Sequence, residues 1–249
     1  MIKFVHCLRR RPHLSRAEFQ RWWLDQHGPL MRNQQHVRGE RRYVQWHTDI
    51  PWAEAETPRG AQDPYDGFTE TWFDSLDAWR AARATVAGSA AVAAARADHA
   101  PYIDPTRSIL MIATIEHRLL EPPAQPVAAW MHCLVRRAGT REAFQRWWLG
   151  EHAPLVLRHA PERNLSGYIQ SHPLPEWRDE VAGAAAPERY DGFALTTWPS
   201  TDARAAADAS PAGSAALQAM RAHSDPHIDR ARSCGVLVRQ HVIIDEPHG

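Results

Sequence analysis

Apolar and polar residues alternate at the start of the chain. Phe4, His6 and Leu8 fall on one side of an extended segment and Val5 and Cys7 on the other, which predicts a strand. The period then changes. Phe19, Trp22, Trp23 and the pair Gln26 and His27 recur at helical spacing. Ser15 followed by Glu18 reads as a capping box at the start of that helix, and Gly28-Pro29 predicts its end. Alternation returns over residues 41–47, where Tyr43, Gln45 and His47 share a face. A third strand is predicted from Tyr65, an Ala-rich helix over 75–99, and a closing apolar strand over 108–120.

The same succession then runs a second time. Trp130, His132 and Leu134 oppose Met131, Cys133 and Val135; a helix starts at Thr140 without the reciprocal Glu; Tyr168, Gln170 and His172 share a face; a strand starts at Tyr190. An Ala-rich helix over 201–223 and a strand over 233–244 complete the copy. Phe19-Gln-Arg-Trp-Trp-Leu-Asp-Gln-His-Gly-Pro29 returns as Phe144-Gln-Arg-Trp-Trp-Leu-Gly-Glu-His-Ala-Pro154, eight of eleven positions identical, at an offset of 144 − 19 = 125. That offset also links Tyr65-Asp-Gly-Phe68 to Tyr190-Asp-Gly-Phe193. A repeat this long is a duplicated domain rather than a short-period solenoid. Each copy reads β-α-β-β-α-β, the split βαβ or ferredoxin-like pattern of an α+β fold. The predicted domains are 1–121 and 128–249, joined by a stiff Pro-rich linker over 122–127. The connections over 48–64 and 173–189 exceed ordinary sheet loops, and each holds a Trp, Trp52 and Trp177. Both Trp are expected to cover a ligand site, with surface packing as the plain alternative.

Composition narrows the picture. The 249 residues carry equal numbers of acidic and basic side chains, so the formal charge is zero. Nucleic acid and anionic membrane are therefore not expected partners. With 44% hydrophobic residues and eleven Trp, each half can build a core and still line a pocket with aromatics. No apolar run approaches the roughly 20 residues of a membrane span. The first residues, Met-Ile-Lys-Phe-Val-His, lack a signal-peptide core, so a cytoplasmic protein is expected. Of the three Cys, Cys7 and Cys133 occupy matching strand positions and read as small buried hydrophobes.

The helix motif, Phe19 to Leu30 and again Phe144 to Leu155, together with Tyr65-Asp-Gly-Phe-Thr-Glu70, resembles the EthD-like group of the dimeric α+β barrel superfamily. The second copy departs from it, with Leu195 where Glu70 stands. The resemblance implies two four-stranded sheets closed face to face, here as a pseudo-dimer within one chain, with a further homodimer left open. A lone sheet with helices on one face leaves its other face bare, so such pairing is physically required.

Barrel closure turns one strand face inward. Small apolar residues suit the helix side, so Val5-Cys7 and Met131-Cys133 are expected there. Phe4, His6, Trp130 and His132 are then expected in the barrel cavity, with Tyr43, Gln45, His47, Tyr168, Gln170 and His172. His6 and His132 are candidate proton-transfer groups, and Tyr43 and Tyr168 could steady an oxyanion. Glu70, between Phe68 and Trp72, is a candidate second acid or base with a raised pKa; a surface carboxylate is the alternative. His27 and His152 enter through the resemblance, against a strong purely structural reading at a helix end. No metal site is expected, because the 15 His are scattered. Haem, known among relatives in the barrel superfamily, would have His6, His132, His117 or His241 as ligand. The expected function is cofactor-independent acid–base chemistry on a hydrophobic, aromatic or polycyclic oxygenated small molecule: a lyase or dehydratase, isomerase or cyclase. An oxidoreductase, haem-dependent or cofactor-free, and a non-catalytic small-molecule binder are the alternatives. If one copy is active, Glu70, Trp72 and His99 favour the first over Leu195, Thr197 and Ser224.

Overall fold

The computed structural model describes residues 1–51, 65–124, 128–174 and 190–246. Trp52 and Trp177, with most of both long connections and part of the linker, lie outside the described residues. The first repeat contains β1 (Ile2–Leu8), α1 (Arg16–Trp22), a π-helical turn (Trp23–His27), α2 (Gly28–Arg38), β2 (Arg42–Thr48), β3 (Gly67–Phe73), α3 (Leu76–Ala84), α4 (Val86–His99) and β4 (Ile109–Leu120). The second contains β5 (Ala128–Leu134), α5 (Arg141–Trp147), a second π-helical turn (Trp148–His152), α6 (Ala153–Arg158), β6 (Gly167–Pro173), β7 (Gly192–Trp198), α7 (Thr201–Ala209), α8 (Pro211–Ser224) and β8 (Cys234–Asp245).

Each repeat forms a four-stranded antiparallel sheet, β4-β1-β3-β2 and β8-β5-β7-β6. The outer strands join across the repeats: β2 pairs with β8, Tyr43 opposite Ile244, and β4 pairs with β6, Ile115 opposite His172. The result is a closed eight-stranded barrel, the intramolecular α+β barrel expected from the duplication.

Three helix predictions need correction, since residues 201–223 also split, at the extended Ser210, into α7 and α8. Residues 75–99 are not one helix: Thr85 adopts extended backbone (φ −70°, ψ 154°), ends α3, and its hydroxyl accepts from the Gly88 N–H to cap α4. Nor does Gly28-Pro29 end the first helix. The chain widens into the π turn and continues as α2, with Pro29 in the opening turn, where its missing N–H is not required.

The assignment of strand faces was inverted. Val5, Cys7, Val44, Phe68, Met131 and Cys133 belong to one buried cluster drawn from both repeats, the barrel interior. Phe4 and Leu8 instead pack in clusters with helical residues such as Trp79 and Trp22. An eight-stranded barrel has an interior only just wide enough for side chains, so the small residues belong inside.

The Tyr-Asp-Gly-Phe motif is architectural. A Cβ on Gly67 would lie 2.3 Å from the Trp23 ring, and one on Gly192 would lie 2.3 Å from Trp148. Glycine there lets the indole lie against the strand. Asp66 accepts from the Arg10 backbone N–H (2.8 Å) and from Arg16 Nε (2.9 Å), fixing the loop before α1; Asp191 does the same for Arg136 and Arg141. Tyr65 and Tyr190 meet hydroxyl to hydroxyl at 3.2 Å, joining the two copies.

Candidate functional site

A cavity of about 220 Å³ lies in the first repeat, between its sheet and its helices. It is not inside the barrel. Phe4, His6, His27, Tyr43, Thr69 and His99 are among its lining residues, so four of the sequence candidates meet there, in a different compartment from the one expected.

His6 projects from β1 directly opposite Thr69. Its Nδ1 is 2.6 Å from the Thr69 hydroxyl, while Nε2 has no hydrogen-bond partner. Burial, then repulsion from Arg38, His27 and Arg83, pushes its pKa down to about 3. The imidazole is therefore neutral at pH 7, and Nε2 is the atom left for a substrate.

His27 closes the π turn. A π bulge in a helix is rare and often marks a functional site, and here it swings His27 towards α4. Its Nδ1 lies 2.7 Å from Asp98 Oδ2 and its Nε2 lies 3.2 Å from His99 Nε2. Burial lowers the His27 pKa in spite of Asp98. Burial, then His27 and His6, hold His99 down to about 3. Asp98 itself titrates below the usual range: burial opposes ionisation, but the hydrogen bond and charge of His27 outweigh it. An ionised Asp98 assigns the proton of His27 to Nδ1. His27 Nε2 is then the acceptor, His99 Nε2–H the donor, and His99 Nδ1 a basic nitrogen.

Tyr43 completes the polar set. Its hydroxyl accepts from Trp23 Nε1 at 3.3 Å, and burial raises its pKa, so it stays protonated. A β-bulge shapes the opposite wall. Along β1, Val5 faces Ile112 but Cys7 faces Ile109, three residues against two; in the second repeat Met131 and Cys133 face Val236 and Cys234 in step. The extra residue on β4 coincides with Met111 lining the cavity.

The other sequence candidates fall elsewhere. Glu70 is on the barrel side of the sheet, buried against Lys3 Nζ (2.7 Å) and the Trp46 indole (2.8 Å). Lys3 also reaches Glu116 at 2.6 Å. Burial alone would lower the Lys3 pKa, but Glu116 and Glu70 outweigh it and hold it above the ordinary lysine value. Glu70 thus balances a buried charge rather than serving the histidine cavity. Gln45 and His47 clamp the π turn: Gln45 Nε2 donates to the Trp23 carbonyl at 2.9 Å, and His47 stacks on the Trp23 ring at 4.5 Å. Gln170 and His172 repeat this on Trp148, at 3.2 and 5.0 Å.

In the second repeat His132 faces Ala194 instead of a threonine, and burial holds it down to about 3. Trp130 replaces Phe4 and lies against Gly235, and Arg204 replaces Trp79 and sits over the Trp130 ring at 4.6 Å. His152, pushed down to about 4 first by burial, has His223 Nδ1 at 3.1 Å where His27 has a carboxylate. The Tyr168 hydroxyl accepts from Gln170 Nε2 at 2.6 Å. Sequence reasoning did not single out Asp98. It sits next to His99 at the end of an Ala-rich helix, and that interruption was the available signal.

The residues present do not fit haem. Of the four named histidines only His6 lines the cavity, whose volume is below the about 300–1,000 Å³ of ordinary small-molecule sites and too small for a porphyrin. His132 sits beside Trp130, while His117 packs on His172 and His241 on His47. Among the described residues no three His, Cys, Asp or Glu side chains are grouped to hold a metal ion, and no helix is long and apolar enough to cross a membrane.

The profile of one family, the EthD domain, matches residues 11–106 and again 136–225. Solved structures with a similar fold include an anthrone oxidase-like protein, 10% identical over 100% of this chain and 95% of its own, with a TM-score of 0.56. Another is a candidate monooxygenase from Lactobacillus acidophilus NCFM, 9% identical over 98% and 96%, TM-score 0.53. A third, a candidate monooxygenase from Fusobacterium nucleatum, is 9% identical over 100% and 94%, TM-score 0.51. At these identities the likeness is one of fold. No curated protein matches the chain.

Proposed function

This chain belongs to the EthD domain family, and we propose that it is a small-molecule enzyme whose active site is the sheet–helix cavity of the first repeat. The reaction is proton transfer on a hydrophobic oxygenated substrate of one or two aromatic rings. The observation that carries this reading is the meeting of His6, the Asp98-His27-His99 chain and the protonated Tyr43 hydroxyl around one largely apolar cavity.

With His6 Nδ1–H donating to the Thr69 hydroxyl oxygen, the unpartnered Nε2 takes a proton from a carbon or hydroxyl of the substrate. The Tyr43 hydroxyl donates to the oxygen on which charge develops, in a setting where little solvent competes. His99 Nδ1 is the second base, and a proton it accepts is stabilised through His27 by Asp98. Elimination, isomerisation and cyclisation all begin from this step. An oxidative reading shares it: a deprotonated electron-rich substrate would meet dioxygen as oxidant. The names of the similarly folded monooxygenases and anthrone oxidase-like protein support keeping that second reading.

The test is a panel of phenolic and aromatic carbonyl compounds, incubated with the protein in air and without oxygen, with products followed by mass spectrometry. Conversion in both atmospheres supports the acid–base reading, and strict oxygen dependence moves the reaction to the oxidative one. Conversion that survives loss of both His6 and His27 side chains would overturn both.

A further inference from the structure

The cavity holds more positive charge than its own residues neutralise. Arg38 on α2, Arg83 on α3 and Arg96 on α4 all line it, and Glu40 is the one carboxylate among its lining residues. Arg38 Nε donates to Glu40 Oε1 at 2.6 Å, leaving Glu40 Oε2 buried without a partner. Arg83 lies over the Trp79 ring at 4.8 Å, on an aromatic face rather than against a carboxylate. No ion pair joins Arg96 to any described residue. Three guanidinium groups against one carboxylate leave an excess of 3 − 1 = 2 positive charges.

These cations crowd one another. Burial lowers the Arg83 pKa, and Arg38 and Arg96 lower it further. Arg38 also acts on His6, His27 and His99, so the positive cluster adjoins the proton-transfer groups. Like charges held together beside an apolar cavity cost stability unless an anion joins them.

The second repeat shows the same framework with less of that excess. At the offset of 125, Arg38 becomes Arg163, Glu40 becomes Leu165, Arg83 becomes Asp208 and Arg96 becomes Arg221. Arg163 there donates to Asp208 at 2.5 Å and to the Gly213 carbonyl at 3.1 Å. At these four positions the second repeat keeps two guanidinium groups against one carboxylate, where the first has three against one.

We propose that the substrate carries an anionic oxygen group, of carboxylate type, which Arg38, Arg83 and Arg96 bind in the first-repeat cavity while its aromatic body lies against Phe4, Trp79 and Met111. This rests on the same cavity being the active site. Planar guanidinium forks match a carboxylate in both geometry and charge. Bound there, the substrate is held with its reactive carbon near His6, and the cluster also favours the negative charge that deprotonation creates.

The test uses 1-naphthoate and its uncharged analogue 1-naphthamide, titrated into the full-length protein by calorimetry at low and high salt. The expected result is that naphthoate binds at least about tenfold more tightly than naphthamide, with the gap narrowing in salt. Arg83→Asp, which installs the residue of the second repeat, abolishes the gap; Arg83→Gln and Arg96→Gln each reduce it, with circular dichroism confirming folding. Ala95→Met, the residue found at 220, removes binding of both compounds. If naphthamide binds as well as naphthoate and Ala95→Met blocks it, the anion inference fails while the cavity assignment stands. If neither compound binds, or Ala95→Met changes nothing, the cavity assignment fails and takes the inference with it.

Discussion

The two repeats keep the same scaffold and differ in what they place on it. Both have the π turn, the Trp23 or Trp148 ring under a histidine, the buried Gln clamp and the Tyr-Asp-Gly-Phe corner. Only the first combines Thr69 on His6, Asp98 on His27, a bulge beside Met111 and an unneutralised arginine cluster. The second places Ala194, His223, an unbulged pairing of Met131 and Cys133 with Val236 and Cys234, and Asp208 at those points. The copies share His6, His27 and Tyr43 with His132, His152 and Tyr168, so it is the partners around these groups, rather than the groups themselves, that set the first repeat apart.

The comparison breaks most directly at the histidines. His6→Ala is expected to cost about 10²–10⁴ in turnover, and His132→Ala less than about threefold. Equal losses in steady-state kinetics would show two working sites. The barrel side gives the next effect. Glu70→Leu installs the second-repeat residue, Leu195, and strips Lys3 and the Trp46 indole of a buried partner; about 3 kcal/mol of stability is expected to go, read from urea unfolding. Activity per folded molecule should hold, since Glu70 does not line the cavity.

Acid should affect both repeats alike. His6, His47, His99, His132 and His172 titrate at about 3 and His152 at about 4, all below the ordinary 6.5, with burial the main cause. The unfolded chain then binds more protons between those values and 6.5. Stability falls as pH falls through that window, by up to about 1.4 kcal/mol per pH unit for each imidazole. A melting temperature unchanged between pH 7.5 and 5 would contradict this, and two separate transitions would show the repeats unfolding independently. The smallest effect is expected from Asp98→Asn. It removes the carboxylate that supports the His27 charge, so kcat/KM should drop about tenfold and its acid limb should move to lower pH. An unmoved pH profile would leave Asp98 with a purely structural role.

The sequence made the fold plain because duplication and alternation both survive in it, and Ser15-Glu18 marked the first helix correctly. It did not reveal which strand face turns inward. Parity groups Phe4 with His6 and Val5 with Cys7, but both faces of this sheet are covered, so no polar side identifies the outside. The π turn was also illegible, because Gly28-Pro29 looks like an ending whether or not the helix resumes. His6 and Tyr43 were singled out for their chemistry, and His27 through the family resemblance. Asp98, Arg83 and Arg96 were passed over because charges on Ala-rich helices look like ordinary solvated ones, as does Arg38 at the end of α2. The cavity between sheet and helices becomes visible only when distant segments are packed.

The pairing of β2 with β8 has a consequence for how the chain comes into being. Tyr43 meets Ile244, a separation of 244 − 43 = 201 residues. During ribosomal synthesis the β2 edge that faces β8 has no native neighbour until β8 (Cys234–Asp245) emerges. The nascent first half must wait with that edge open to stray strands, and closing the barrel depends on one of the longest-range contacts in the molecule. Slow closure and a need for protection while waiting are built into the order in which this protein is made.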